Sequence, residues 1–176
     1  MKREFTSLSP QEALHVAIFI EERNAELYQQ FAELFGEFKD PDSLEIAQVF
    51  WDMAIEERSH GTMLQERYFD RYGTQACVVT EEDICELLEV PKLESGELFS
   101  IGRGNATVAP RKAALQVAFD AEETAMRYYS QLVETTHDRN LRSTYAELAN
   151  FEADHTEFLR RKLNEVKRAT TGGDVV

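Results

Sequence analysis

Apolar side chains recur at three- and four-residue spacing through four long stretches of the chain, the pattern of helices that each bury one face. The first stretch opens at Ser9-Pro10-Gln11-Glu12, which reads as an N-cap, a proline in the first turn and a capping-box glutamate, and stops near Gly36. Its stripe is Leu14, Ala17, Ile18, Ala25, Tyr28, Ala32 and Phe35, with Glu21 in the middle. After a short connection from Gly36 to Asp42, a second helix is predicted to about Tyr72. Ile46, Ala47, Phe50, Met53, Ala54, Leu64 and Tyr68 form its stripe, interrupted by Glu57, His60 and Gly61. So short a link makes these two helices antiparallel neighbours. A third helix is predicted from just after Pro110 to near Thr135, where Leu115, Ala118, Phe119, Met126, Tyr129 and Val133 surround Glu122. The fourth follows an Asp138 cap and runs to about Arg168. Its stripe of Leu141, Tyr145, Leu148, Ala149, Thr156, Leu159 and Leu163 contains Glu152 and His155.

Between the two helical pairs the periodicity stops. Residues 73–110 mix the β-branched run Val78-Val79-Thr80, a short helix predicted over Glu81 to Glu89 with a Thr80 and Asp83 cap, and a loop-like stretch from Glu94 to Pro110. That is too long for a turn and too poor in apolar side chains for a core of its own. It has the length of a crossover that carries the chain back to start a helix parallel to the second. The expected fold is therefore all-α: an N-terminal arm over residues 1–8, one four-helix bundle over residues 9–169 and a frayed tail over residues 170–176.

Composition narrows the function. With 176 residues, 43% of them hydrophobic, only four prolines and eight glycines, the chain has material for one domain with long helices. A formal charge of -14 argues against nucleic acid and anionic membrane surfaces, both of which are bound through Lys and Arg. It fits acidic groups gathered around cations. No apolar run approaches about 18 residues, and Met1-Lys2-Arg3-Glu4-Phe5 is not followed by a hydrophobic signal core, so a soluble, cytoplasmic protein is expected. Cys77 and Cys85 form no Cys-x-x-Cys pair and read as packed or idle thiols.

The chain also repeats itself. Sliding residues 13–31 by 101 positions lays Ala13, Leu14, Val16, Ala17, Glu21, Glu22, Tyr28 and Gln30 on Ala114, Leu115, Val117, Ala118, Glu122, Glu123, Tyr129 and Gln131. Sliding the second helix by 95 lays Ala54, Glu57, His60 and Leu64 on Ala149, Glu152, His155 and Leu159. Glu123 falls on a solvent face, which selects Glu21 over Glu22, and Phe151 replaces the first glutamate of the second doublet, which selects Glu57 over Glu56. Four-helix bundles that hold two metals take one Glu from each of two helices and a Glu-x-x-His from each of the others. Here those are Glu21, Glu122, Glu57 with His60, and Glu152 with His155. Four carboxylates neutralise two divalent cations, and oxygen and imidazole donors suit two iron ions, with manganese an alternative and zinc an easy substitute. Tyr28 and Tyr129 each lie seven residues beyond their Glu on the same helical face, placed to hydrogen-bond an opposing carboxylate and orient it. A lone Glu-x-x-His arises easily by chance in an acidic helical chain; the conjunction carries the argument.

Those segments, Glu21 to Tyr28, Glu57-x-x-His60, Glu122 to Tyr129 and Glu152-x-x-His155, resemble the rubrerythrin branch of the ferritin-like superfamily over residues of about 9 to 168. The resemblance implies a ferritin-like four-helix bundle, with the long crossover between its second and third helices, and a di-iron centre reducing hydrogen peroxide or dioxygen. Tyr28 and Tyr129 would serve that catalysis. The chain has no rubredoxin domain with paired Cys-x-x-Cys, which implies a separate electron-transfer protein as donor. It has Ala125 where a further glutamate is expected, and its six ligands resemble the symmetric site of bacterioferritin. A homodimer is also implied, with Phe31, Phe38, Trp51 or Phe158 available to line its contact. Iron handling by a ferroxidase and a metal-stabilised dimeric binding or sensor module without turnover are the alternative functions.

Overall fold

The computed structural model describes residues 8–76, 79–80, 82–84 and 108–171. Four long helices make up most of them: α1 (Pro10–Phe38), α2 (Pro41–Tyr72), α3 (Val108–Thr135) and α4 (Arg139–Thr171). Their starts follow local chemistry. The Ser9 hydroxyl accepts the Glu12 N–H at 3.2 Å while the Glu12 carboxylate accepts the Ser9 N–H at 2.8 Å. Asp40 accepts the Ser43 N–H at 3.0 Å ahead of α2, and Asp138 accepts the Leu141 N–H at 2.9 Å ahead of α4. Two boundaries differ from the sequence reading. α1 passes through Gly36 to Phe38, because the chain turns at Lys39 (φ 57°) and the Asp40-Pro41 cap already opens the next helix. α3 begins at Val108, so Pro110 lies within its first turn; first-turn amides have no acceptor inside a helix, and proline is tolerated there.

Ion pairs at the two ends fix the helix directions. Arg111, near the start of α3, is 6% exposed and donates to Ser43 Oγ at 2.8 Å and Asp42 at 3.2 Å, and it pairs with Asp40. Arg71, near the end of α2, pairs at 2.8 Å with Asp138, which precedes α4. α2 and α3 therefore run the same way, and the chain between them spans the bundle, the crossover of a ferritin-like topology. Of that crossover, Val79 and Ile84 are buried, and Thr80 and Asp83 cap each other's N–H at 3.0 and 3.2 Å. The rest of the helix predicted over Glu81 to Glu89, the stretch from Glu94, both cysteines, residues 1–7 and residues 172–176 lie outside the described residues. Replacing Arg111 by methionine is expected to lower the unfolding free energy by about 2 kcal/mol, because the buried Ser43 hydroxyl loses a charged donor. A urea titration measures the change.

The apolar interior falls into two clusters. One holds Leu14, Ile18, Leu64, Ala125, Tyr129, Leu141 and Tyr145 among others, the second Tyr28, Phe31, Phe35, Phe50, Leu115, Leu159 and Leu163. Between them Glu21, Glu57, Glu122 and Glu152 are all fully buried. Of the aromatics expected at a partner contact, Phe31 is instead core, its ring 5.0 Å from that of Phe50, and Phe38 and Phe158 pack against the core. The buried arc of α1 is wider than its stripe suggested. Trp51 does remain exposed, on an outer face of α2 that also carries Leu44, Ile55 and Phe69.

Candidate metal centre

The six residues singled out by the repeat converge on the layer between the two clusters. α1 and α3 supply Glu21 and Glu122, α2 supplies Glu57 with His60, and α4 supplies Glu152 with His155. They fall into two groups, Glu21, Glu57, His60 and Glu152 in one and Glu57, Glu122, Glu152 and His155 in the other, with the donor atoms of each group within 4.8 Å of one another. Glu57 and Glu152 belong to both, so each half has one carboxylate and one imidazole of its own and shares two carboxylates. His60 Nδ1 lies 3.3 Å from Glu21, and His155 Nδ1 lies 3.2 Å from Glu57 and 3.6 Å from Glu122.

Eight atoms of these residues are buried with no hydrogen-bond partner: Glu21 Oε2, both oxygens of Glu57, Glu122 Oε2, both oxygens of Glu152, and Nδ1 of each histidine. Orphaned carboxylate oxygens are among the costliest groups to bury, and proteins rarely leave one, let alone a convergent set. A pair of divalent cations would satisfy all of them and balance the charge. The donor set therefore fits metal, and it contains no thiolate among the described residues.

The surrounding groups hold that set in place. Tyr28, on α1, donates to Glu122 Oε1 at 2.5 Å, and Tyr129, on α3, donates to Glu21 Oε1. Each phenol thus occupies one oxygen of the opposing carboxylate and leaves Oε2 directed at the centre. Burial first, and then the neighbouring carboxylates, push both phenols well above the ordinary tyrosine range, so they stay protonated donors. Burial, followed by the charge of Glu122, raises Glu57 well above the usual carboxylate range, and burial likewise leads in raising Glu152. Burial opposes the charged form of Glu122 as well, yet its neighbours Glu152 and His155 and the hydrogen bond from Tyr28 hold it lower than usual. His155 is raised far above the imidazole range, burial notwithstanding, by Glu122, Glu152 and Glu57. Without cations the cluster retains protons in their place.

One functional neighbour was not found by sequence reasoning. Glu56 Oε2 lies 2.8 Å from His155 Nε2, so the rejected member of the Glu56-Glu57 doublet faces the back of the opposite histidine. The doublet was the available signal, but only the packing of α2 on α4 shows the partner. The rejected member of the Glu21-Glu22 doublet, Glu22, is exposed and accepts from Gln65 at 2.5 Å. Gly61, which broke the α2 stripe, lies under Glu21, where an added Cβ would sit 3.4 Å from the Glu21 Cβ. Alanine fits there in ordinary van der Waals contact.

Four helices in this topology around a buried carboxylate and histidine cluster define the ferritin-like class, with a possible metal site at the middle of the bundle. Within it the chain is rubrerythrin-like: the Rubrerythrin family model matches residues 12–97, a span that includes Glu21, Glu57 and His60. An uncharacterised conserved protein from Magnetospirillum magnetotacticum MS-1 has a similar fold, with a TM-score of 0.69 at 23% identity over 90% of this chain and 95% of its own. So does a hypothetical protein from Pyrococcus furiosus, with a TM-score of 0.68 at 22% identity over 92% of each chain. No curated protein matches the sequence. No helix among the described residues is long and apolar enough to cross a membrane.

Proposed function

We propose that the chain is a di-iron carboxylate oxidoreductase of rubrerythrin type, reducing hydrogen peroxide or dioxygen with electrons from a separate donor protein. The observation that carries this reading is the set of orphaned buried donor atoms, arranged as two groups that share Glu57 and Glu152. When bound, two ferrous ions would supply the two electrons that, with two protons, convert hydrogen peroxide to two waters. The chain's own residues do the rest. Glu57 and Glu152 hold the two positions together, Tyr28 and Tyr129 fix the outer oxygens of Glu122 and Glu21, and the two apolar clusters exclude bulk water. The histidines, with side chains 13% and 12% exposed, make the seam between α2 and α4 the route for a small oxidant.

Anaerobic loading with ferrous iron, followed by rapid mixing with peroxide or dioxygen, tests the proposal. Two irons per chain, an oxidant-dependent change in iron absorbance and turnover once a reducing protein is added support it. No iron uptake by the wild type, as by Glu57→Ala, removes it. A ferroxidase is the second reading, favoured by Ala125, which is buried beyond Glu122 where the resemblance expects another glutamate. Iron loading far beyond two per chain would select it.

Tyr28→Phe and Tyr129→Phe each keep the ring and delete one hydroxyl. Each is expected to weaken metal affinity about tenfold and to slow turnover, because the released carboxylate is no longer oriented. Competition against a chromophoric chelator reads the affinity, and an unchanged value in the double variant would deny the phenols this role. The homodimer is proposed on the outer face of α2 through Leu44, Trp51, Ile55 and Phe69. Sedimentation should show a dimer that Trp51→Glu with Ile55→Glu converts to monomer; a monomeric wild type would sink this part.

A further inference from the structure

The internal repeat breaks at a position that touches the centre. Because Glu57-x-x-His60 corresponds to Glu152-x-x-His155, Glu56 of α2 corresponds to Phe151 of α4. Each of these residues packs on the histidine of the other helix. Glu56 Oε2 is 2.8 Å from His155 Nε2, whereas the Phe151 ring lies against the His60 ring at a centroid distance of 4.9 Å and an angle of 39°. Among the described residues the only carboxylate paired with His60 is Glu21, and it faces Nδ1, not Nε2. The donor sets of the two halves match, although among the described residues His155 Nδ1 lies within 4 Å of Glu57, Glu122 and Glu152 and His60 Nδ1 of Glu21 alone. Glu21 with His60 answers Glu122 with His155, Glu57 and Glu152 are common to both, and each outer carboxylate has its tyrosine. Exposure does not separate the histidines either, at 13% and 12%.

We propose that Glu56 makes the centre unequal: the position at His155 binds a divalent cation more tightly and fills first, while the position at His60 is the exchangeable one. This inference rests on the two-cation reading of the cluster. An imidazole whose outer N–H donates to a carboxylate has its proton fixed on Nε2, leaving the Nδ1 lone pair to face the centre and making the ring a stronger donor. A phenyl ring in the equivalent place offers no acceptor. It restrains the tilt of His60 but fixes neither its tautomer nor its basicity. The Glu56 side chain is 57% exposed, so solvent screens its charge and the effect is that of one outer hydrogen bond, about tenfold in metal affinity.

Metal-stripped full-length protein titrated anaerobically with cobalt(II), followed by ligand-field absorption and calorimetry, should take up two ions in two steps. Repulsion between the ions would separate the steps even in a symmetric centre, so histidine deletions identify which position fills first. His60→Ala should keep the first step and lose the second; His155→Ala should weaken the first step by tenfold or more, taking about tenfold as the effect of an outer partner alone. The exchange variant Glu56→Gln with Phe151→Glu moves the carboxylate to the other side, and in that background the two deletions should swap their effects. Both sites of exchange are exposed, and far-ultraviolet circular dichroism checks that each variant is folded. Equal loss of the first step in both deletions, or an order of filling that the exchange leaves unchanged, overturns the inference while the two-cation centre stands. No uptake of cobalt by the wild type overturns both.

Discussion

Replacing Glu57 by leucine is expected to abolish binding of both cations, whereas Glu21→Ala or Glu122→Ala leaves one. The difference follows from the sharing: Glu57 contributes to both groups of donor atoms, Glu21 and Glu122 to one each. Metal content after anaerobic loading and desalting should be two ions for the wild type, one for either outer variant and none for Glu57→Leu. Stability should change with the opposite sign. Metal-free wild type carries a buried carboxylate with no hydrogen-bond partner on either oxygen, and a leucine of similar volume removes that burden. Leaving such a group buried and unsatisfied costs about 1 to 3 kcal/mol, a cost the leucine removes. Loading then stabilises only the wild type, by about 2.7 kcal/mol for one site at a hundredfold excess over the dissociation constant. The two denaturation curves should therefore exchange order when metal is added. A leucine variant less stable than the metal-free wild type would mean that Glu57 holds the bundle together through protein contacts, and the cation would not be needed to explain its burial.

The helices and the six converging residues were legible because their determinants are local and periodic. Ser9, Asp40 and Asp138 cap helices through groups a few positions away, and one acidic position per stripe marks the layer where Glu21, Glu57, Glu122 and Glu152 meet. The repeat did what periodicity could not, choosing Glu21 over Glu22 and Glu57 over Glu56 in doublets where both members lie near the same face. Features that depend on contacts between helices were less visible. Phe31 read as available because it falls beside the α1 stripe, but Phe50 of α2 covers it. Tyr128 adjoins Tyr129 and was passed over, yet it is buried and donates to the Ala13 carbonyl at 2.8 Å. Glu56 was set aside because Phe151 replaces it in the repeat, and it does not face the centre, but its place behind His155 depends on how α2 meets α4. The end of α1 was misplaced because Gly36 looks like a stop only if Asp40-Pro41, the stronger signal, is left out.

Metal-free protein is expected to lose stability as the pH rises from mildly acidic to mildly alkaline, and metal-loaded protein to gain it. Glu57 and Glu152 are raised in the fold, by burial above all, so between the ordinary glutamate value of about 4.3 and their folded values the native state binds more protons than the unfolded chain. Stability falls with pH in that window, because it rises only where the unfolded state holds the extra protons. His155 acts in the same sense above the ordinary imidazole range, its protonated form being held by Glu122, Glu152 and Glu57 against the cost of burial. Glu122 acts oppositely, but its folded value is lowered, so the stability it contributes is lost only as the pH falls below the ordinary carboxylate range, outside this window. Cations reverse the trend by taking the place of the protons: loading displaces them from Glu57, Glu152 and His155, and affinity rises as the pH removes their competition. Thermal midpoints of chelator-treated and zinc-loaded protein, taken from about pH 5 to about pH 8, should diverge steadily. Calorimetry in buffers of different ionisation enthalpy should register net proton release on loading. Parallel midpoint curves, or loading without proton release, would mean that the buried carboxylates and His155 are not where the metal binds.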